Sequence, residues 1–223
     1  MSLQQEKLRL AESLAAEGIL KSEVVRRAFL SVPREGFVWP GSEGEAYLDM
    51  PLRLGDTGQT ISAPHMVVIM LEALMLKPGQ LVLEVGTGSG YNAALSYEMV
   101  APEGDIRGKV VSLERVPDLV DFARRNLKRA GYSDRVEVVL SDGTLGYPSG
   151  SKELYDRIVV TAAAPRIPLA MKEQLKRGGV LLVPRGPFGY QKLIRVVRAD
   201  IDRYSEEDLG GCVFVPLVGK DGY

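Results

Sequence analysis

The chain has 223 residues, 45% of them apolar and 26% charged, and a net charge of −1. That length can bury a good core, while the near-neutral charge gives no basic field of the kind that draws nucleic acid or anionic membrane. One histidine and one cysteine argue against a zinc site, exclude an intramolecular disulfide and fit a reducing compartment. The first residues lack the apolar core of a signal peptide, and no apolar run reaches the roughly 18 residues that span a membrane. The expectation is a cytoplasmic protein with neither a membrane nor a nucleic-acid partner.

Residues 3–17 read as an amphipathic helix closed by Gly18, and Ser22 caps a second helix that stops before Pro33. Residues 33–63, rich in Gly, Pro and Asp, read as irregular, and Pro64 opens a helix running to about Leu76. From residue 80 strands and helices alternate. Strands are predicted at 80–85, 109–114, 136–140, 156–161 and 178–184, with helices at 90–100, 117–130 and 168–177. This alternation predicts an α/β fold with a doubly wound, mostly parallel sheet. Beyond Pro184, Gln191–Arg198 and Gly211–Leu217 read as a β-hairpin on the sheet edge. The whole is one domain: an N-terminal helical cap and acceptor segment (1–77), a core (78–184) and a β-rich C-terminal region (185–223).

The richest segment is Leu81-Val82-Leu83-Glu84-Val85-Gly86-Thr87-Gly88-Ser89-Gly90, a buried strand ending in an acid and then glycine at every second position. Glycines at 86, 88 and 90 permit positive φ and let a ligand approach the backbone, and the following helix offers N–H groups. The spacing is GxGxG rather than the GxGxxG of dinucleotide-binding folds. It resembles motif I of the class I S-adenosylmethionine (AdoMet) methyltransferases. That resemblance implies that Glu84, Gly86, Thr87, Gly88, Ser89 and Gly90 hold the cationic methionine end of AdoMet.

Two further strand ends carry acids. Glu114, 24 residues after Gly90, can accept hydrogen bonds from a ribose diol. NAD-binding folds place an acid similarly. Asp142 can accept from an adenine amino group, with Gly143 giving room for the base edge. An NAD(P)-dependent oxidoreductase has no standing need for that second acid, so the series favours AdoMet; an RNA methyltransferase and a non-catalytic AdoMet-binding module remain as alternatives.

Three strings narrow the family: Gly58-Gln-Thr-Ile-Ser-Ala-Pro-His-Met66, Tyr155-Asp156 through Ala162-Ala163-Ala164-Pro165, and Phe214-Val215-Pro216-Leu217. With Val32-Pro33-Arg34-Glu35-Gly36-Phe37 and Leu175 to Pro184 they make the chain similar, over nearly its whole length, to the protein-L-isoaspartate (D-aspartate) O-methyltransferases. The resemblance implies methyl transfer from AdoMet to the α-carboxylate of isoaspartyl residues, and to D-aspartyl residues, in damaged proteins. The ester then collapses to a succinimide, whose hydrolysis returns some normal aspartate. A carboxylate is already ionised at pH 7, so no general base is required. By resemblance Ser62 is the active-site serine, and the bland alternative for it is a helix N-cap. Thr60, Ile61, Ser62 and His65 are expected to line the acceptor site. Phe214, Val215 and Pro216 are expected to offer main-chain groups to an extended peptide. The chain departs from the family at Val213, where a basic residue is usual, and in the long 101–108 connection. A monomer is expected, with isoaspartyl proteins and peptides as its partners.

Overall fold

The computed structural model describes residues 2–102 and 107–223. Of the long connection at 101–108, residues 103–106 lie outside the described residues.

Helix α1 (Leu3–Ala16) starts with a reciprocal cap. The Ser2 hydroxyl accepts from Gln5 N, and the Gln5 side chain accepts from Ser2 N. Helix α2 (Glu23–Ser31) is capped by Ser22. The stretch expected to be irregular contains two 3₁₀ turns, Arg34–Gly36 and Glu43–Glu45, and a small hairpin of β1 (Leu52–Arg53) with β2 (Thr60–Ile61). Trp39 covers this hairpin from below: a Cβ on Gly55 would meet its ring at 2.7 Å, and the indole packs on Phe122 at 4.9 Å between centroids. Helix α3 (Pro64–Leu74) follows and ends at Met75 in the left-handed conformation.

The remaining elements are β3 (Leu81–Val85), α4 (Tyr91–Val100), β4 (Lys109–Glu114), α5 (Pro117–Arg129), β5 (Val136–Leu140), β6 (Tyr155–Val160), α6 (Leu169–Gln174), β7 (Leu175–Arg185), β8 (Gln191–Asp200) and β9 (Arg203–Cys212). Among the described residues they form a seven-stranded sheet in the order β5-β4-β3-β6-β7-β8-β9, parallel from β5 to β7 and antiparallel beyond. The doubly wound, mostly parallel α/β expectation holds. One apolar cluster joins Ala11 and Phe29 of the cap to Val82, Val110 and Leu119, and a second packs Met171 of α6 against Leu83, Val85 and Ile158 on the opposite face. No helix among the described residues is long and apolar enough to cross a membrane.

Two local expectations need correction. The helix predicted at 168–177 ends at Gln174, because Leu175 turns extended and pairs with Tyr155 of β6. The second hairpin strand is Arg203–Cys212, not Gly211–Leu217. Its Glu206, Glu207 and Asp208 have poor strand propensity, but β9 is an edge, where charge is tolerated and discourages pairing with other chains. Cross-strand partners help as well, with Asp208 against Lys192 at 2.5 Å and Glu207 against Arg195 at 3.3 Å.

Candidate active site

The strand order reverses between the parallel neighbours β3 and β6, and in open α/β sheets the crevice at that point is where ligands bind. The glycine loop leaves β3 there, with φ of 101° at Gly86, 55° at Gly88 and 88° at Gly90. Main-chain bonds from Gly86 N and Thr87 N to Leu113 O, at 2.8 and 3.1 Å, fix the loop against β4. At Gly86 the need for glycine is also steric, since a Cβ would lie 2.3 Å from the Thr161 hydroxyl. Gly143 lines the crevice, and glycine is needed there for packing as well, since a Cβ would lie 2.3 Å from Val85 Cγ1.

The three strand-end acids have three environments. Glu84 is buried, accepting from the Ser112 hydroxyl and from Asn92 Nδ2 at 2.7 Å, and burial pushes its carboxyl up to about 7. It sits behind the loop and holds Asn92, whose Oδ1 is buried without a protein partner among the described residues. Glu114 lines the crevice, but its carboxylate already accepts from Gly88 N, Arg115 N and Val116 N at 2.9 to 3.0 Å. Asp142 is turned to the C-terminal tail, accepting from Thr144 N, the Thr144 hydroxyl and Lys220 N at 2.7 to 2.9 Å. Burial pushes its carboxyl up, but these hydrogen bonds outweigh burial and hold it below the ordinary carboxylate range. Its neighbours Ser141 and Gly143 line the cavity in its place.

Three adjoining cavities meet at Thr60 and Thr161. The first, walled by Val85, Leu113, Val116 and Leu217, runs past Glu114. The second lies under the loop and is lined by Ser62, Met70, Tyr91 and Asn92. The third is an open groove lined by Ser62, His65, Met66, Phe188 and residues 211–216. Thr60 and Ser62 are thus brought to the junction, with Ile61 beside them. Ser62 is not the cap of α3: that position is Ala63, and no side chain caps the helix. His65 lines the groove with its Nδ1 2.9 Å from Asp49 Oδ1, and the same carboxylate accepts from His65 N at 2.8 Å.

The tail is placed differently from expectation. Val215 O accepts from Ala163 N and Leu217 N donates to Ala163 O, both at 2.7 Å, so those groups serve the fold. The tail lines the groove, yet Val215, Pro216, Leu217 and Val218 also wall the first cavity. Sequence reasoning passed over Thr161 and Asn92 as site residues. Thr161 was detectable as the end of the strand beside the switch point; Asn92 left no signal.

An apolar slot, a strand-end carboxylate and an unpartnered amide oxygen under a glycine loop fit the adenine, ribose and cationic amino group of AdoMet. Fold and site together are those of a class I AdoMet-dependent methyltransferase. Residues 4–222 match the family described as Protein-L-isoaspartate(D-aspartate) O-methyltransferase. A protein-L-isoaspartate O-methyltransferase of Thermococcus sibiricus is 52% identical over 97% of this chain and 95% of its own length. One from Hyperthermus butylicus is 52% identical over 96% of this chain and 89% of its own. A Plasmodium falciparum protein described as a protein-L-isoaspartate O-methyltransferase, crystallised with S-adenosyl-L-homocysteine, superimposes with a TM-score of 0.83 at 28% identity. That match covers 93% of this chain and 95% of the other. The chain belongs to the protein-L-isoaspartate(D-aspartate) O-methyltransferase family.

Proposed function

We propose that the family's reaction, methyl transfer from AdoMet to the α-carboxylate of L-isoaspartyl and D-aspartyl residues in damaged proteins, runs in this chain where the second cavity opens into the groove, with Ser62 as its catalytic residue. The observation that carries this reading is that Ser62 lines both the cavity under the glycine loop and the open groove. When bound, AdoMet supplies a methyl group made electrophilic by its sulfonium. Glu114 and the Gly86–Gly90 backbone hold the nucleoside and methionine parts, and Glu84 orients Asn92 toward the amino group. Asp142 secures the tail and Gly143 packs the floor, so both act on the cofactor through the shape of the cavity. Thr60, Ile61, Ser62 and His65 face the acceptor, with Phe214, Val215 and Pro216 across the groove. With the acceptor already ionised, the protein has to align oxygen, methyl and sulfur and exclude water, an effect worth up to about 7–11 kcal/mol in favourable cases.

The chain works as a single-domain monomer in the cytoplasm, without a nucleic-acid partner. The charged edge strand β9, the lone Cys212 and the net charge of −1 support that reading. The deciding experiment incubates the protein with methyl-labelled AdoMet and paired peptides differing only in aspartyl or isoaspartyl linkage. Base-labile label on the isoaspartyl peptide alone is the expected result, and equal labelling of both peptides refutes the reading.

A further inference from the structure

Arg34 is fully buried, at 0% exposure, and pairs with no carboxylate within 4.0 Å among the described residues. A guanidinium stays charged in proteins, and a buried cation without a counter-ion is costly, so its retention asks for a reason. Its fork is spent on two carbonyls: Nε donates to Ala46 O and Nη2 to Ser62 O, both at 2.8 Å. The guanidinium lies 5.1 Å from the centroid of the Tyr91 ring, which walls the cavity under the glycine loop. Nη1 has no protein partner. Asp49 acts on Arg34 only through space, its carboxylate being bonded to His65, and the Glu35 carboxylate accepts from Tyr47. The result is a guanidinium held on a rigid mount one carbonyl behind Ser62, with the Asp49 carboxylate in electrostatic range but not bonded to it.

Resting on the function proposed above, we propose that Arg34 is the positioning residue of the acceptor site, fixing the Ser62 turn through its carbonyl and supplying the positive field that draws in the isoaspartyl carboxylate. The two parts leave different kinetic signatures. As the carboxylate attacks the sulfonium both charges fade, so a fixed cation favours the bound substrate over the transition state and acts mainly on KM. The grip on Ser62 O sets alignment and acts on kcat.

The test uses the full chain with Arg34→Lys, which keeps charge and loses the fork, and Arg34→Gln, which loses the charge. Arg34→Lys should lower kcat about tenfold with KM held within about threefold, and Arg34→Gln should raise KM about tenfold in addition. Affinity for S-adenosyl-L-homocysteine should stay within about twofold in both. Wild-type kinetics in either folded variant, or equal changes in KM and kcat that follow the melting temperature, would overturn the proposal. Should neither variant fold, the wild type decides. A peptide whose isoaspartyl α-carboxylate is replaced by a carboxamide should compete for the site about tenfold more weakly than the isoaspartyl substrate itself binds, and equal affinity overturns the proposal. A wild type that methylates no isoaspartyl peptide refutes the function itself.

Discussion

The proposed cofactor half and the proposed acceptor half of the site are built by opposite means. The cofactor half comes from successive strand ends, Val85, Glu114 and Ser141, and its main chain is tied strand to strand, as by Gly86 N and Thr87 N on Leu113 O. The acceptor half joins residues 60–65 to residues 211–216, parts of the chain with no local relation. They are held by a buried arginine, a two-residue hairpin and a tail bonded to Ala163. Local construction makes a site that survives change elsewhere, whereas an assembled site depends on every segment that closes it.

The largest test of this contrast removes residues 213–223. The sequence alone suggests that the tail serves the acceptor only. The tail also walls the cofactor cavity and buries Phe214 and Leu217, each worth about 1.5–3 kcal/mol. Deletion is therefore expected to abolish methylation and S-adenosyl-L-homocysteine binding together; calorimetry showing intact cofactor binding on a cooperatively melting truncation would restore a clean division of the halves.

Glu114→Ala comes next. Losing a carboxylate shared between Gly88 and the ribose should weaken AdoMet by about 1.5–3 kcal/mol, measured by calorimetry, with NAD binding to neither protein. An unchanged affinity would move the ribose contact elsewhere in the cavity. In the acceptor half, Ser62→Ala should leave AdoMet affinity nearly constant and slow isoaspartyl methylation roughly ten- to hundredfold. Since Ser62 caps no helix, little stability should be lost, and a wild-type rate would remove the serine from catalysis.

The smallest effect is a pH slope. Burial raises Glu84 from 4.5 to about 7, so its protonated form is the one the fold prefers. Its contribution is fully present below about 4.5 and is lost as pH rises through about 7, on the order of 3 kcal/mol in all. Melting curves of the ligand-free protein should gain stability from pH 8 to about 5.5 relative to Glu84→Gln, which lacks this titration. Parallel pH profiles for the two proteins would show that Glu84 stays ionised.

How much of this was legible in the sequence follows the same division. Strands β3 to β6, the glycine loop and the acids at 84, 114 and 142 could be read because apolar runs, glycine spacing and strand ends are local features. The GxGxG loop dictated a backbone that only glycine follows easily, and the TISAPHM string marked Ser62. Strand β9 was not legible, because its charged residues are extended only by pairing with β8 at a solvent-facing edge. Nor was the burial of Arg34, the turning of Asp142 to Lys220, or the packing of Gly143 on Val85. A carboxylate at a strand end has the same sequence signature whether it meets a nucleoside, a glycine loop or the chain's own tail. What it bonds is decided by which distant segment desolvates it and supplies the donors, and only the tertiary structure brings that segment into place.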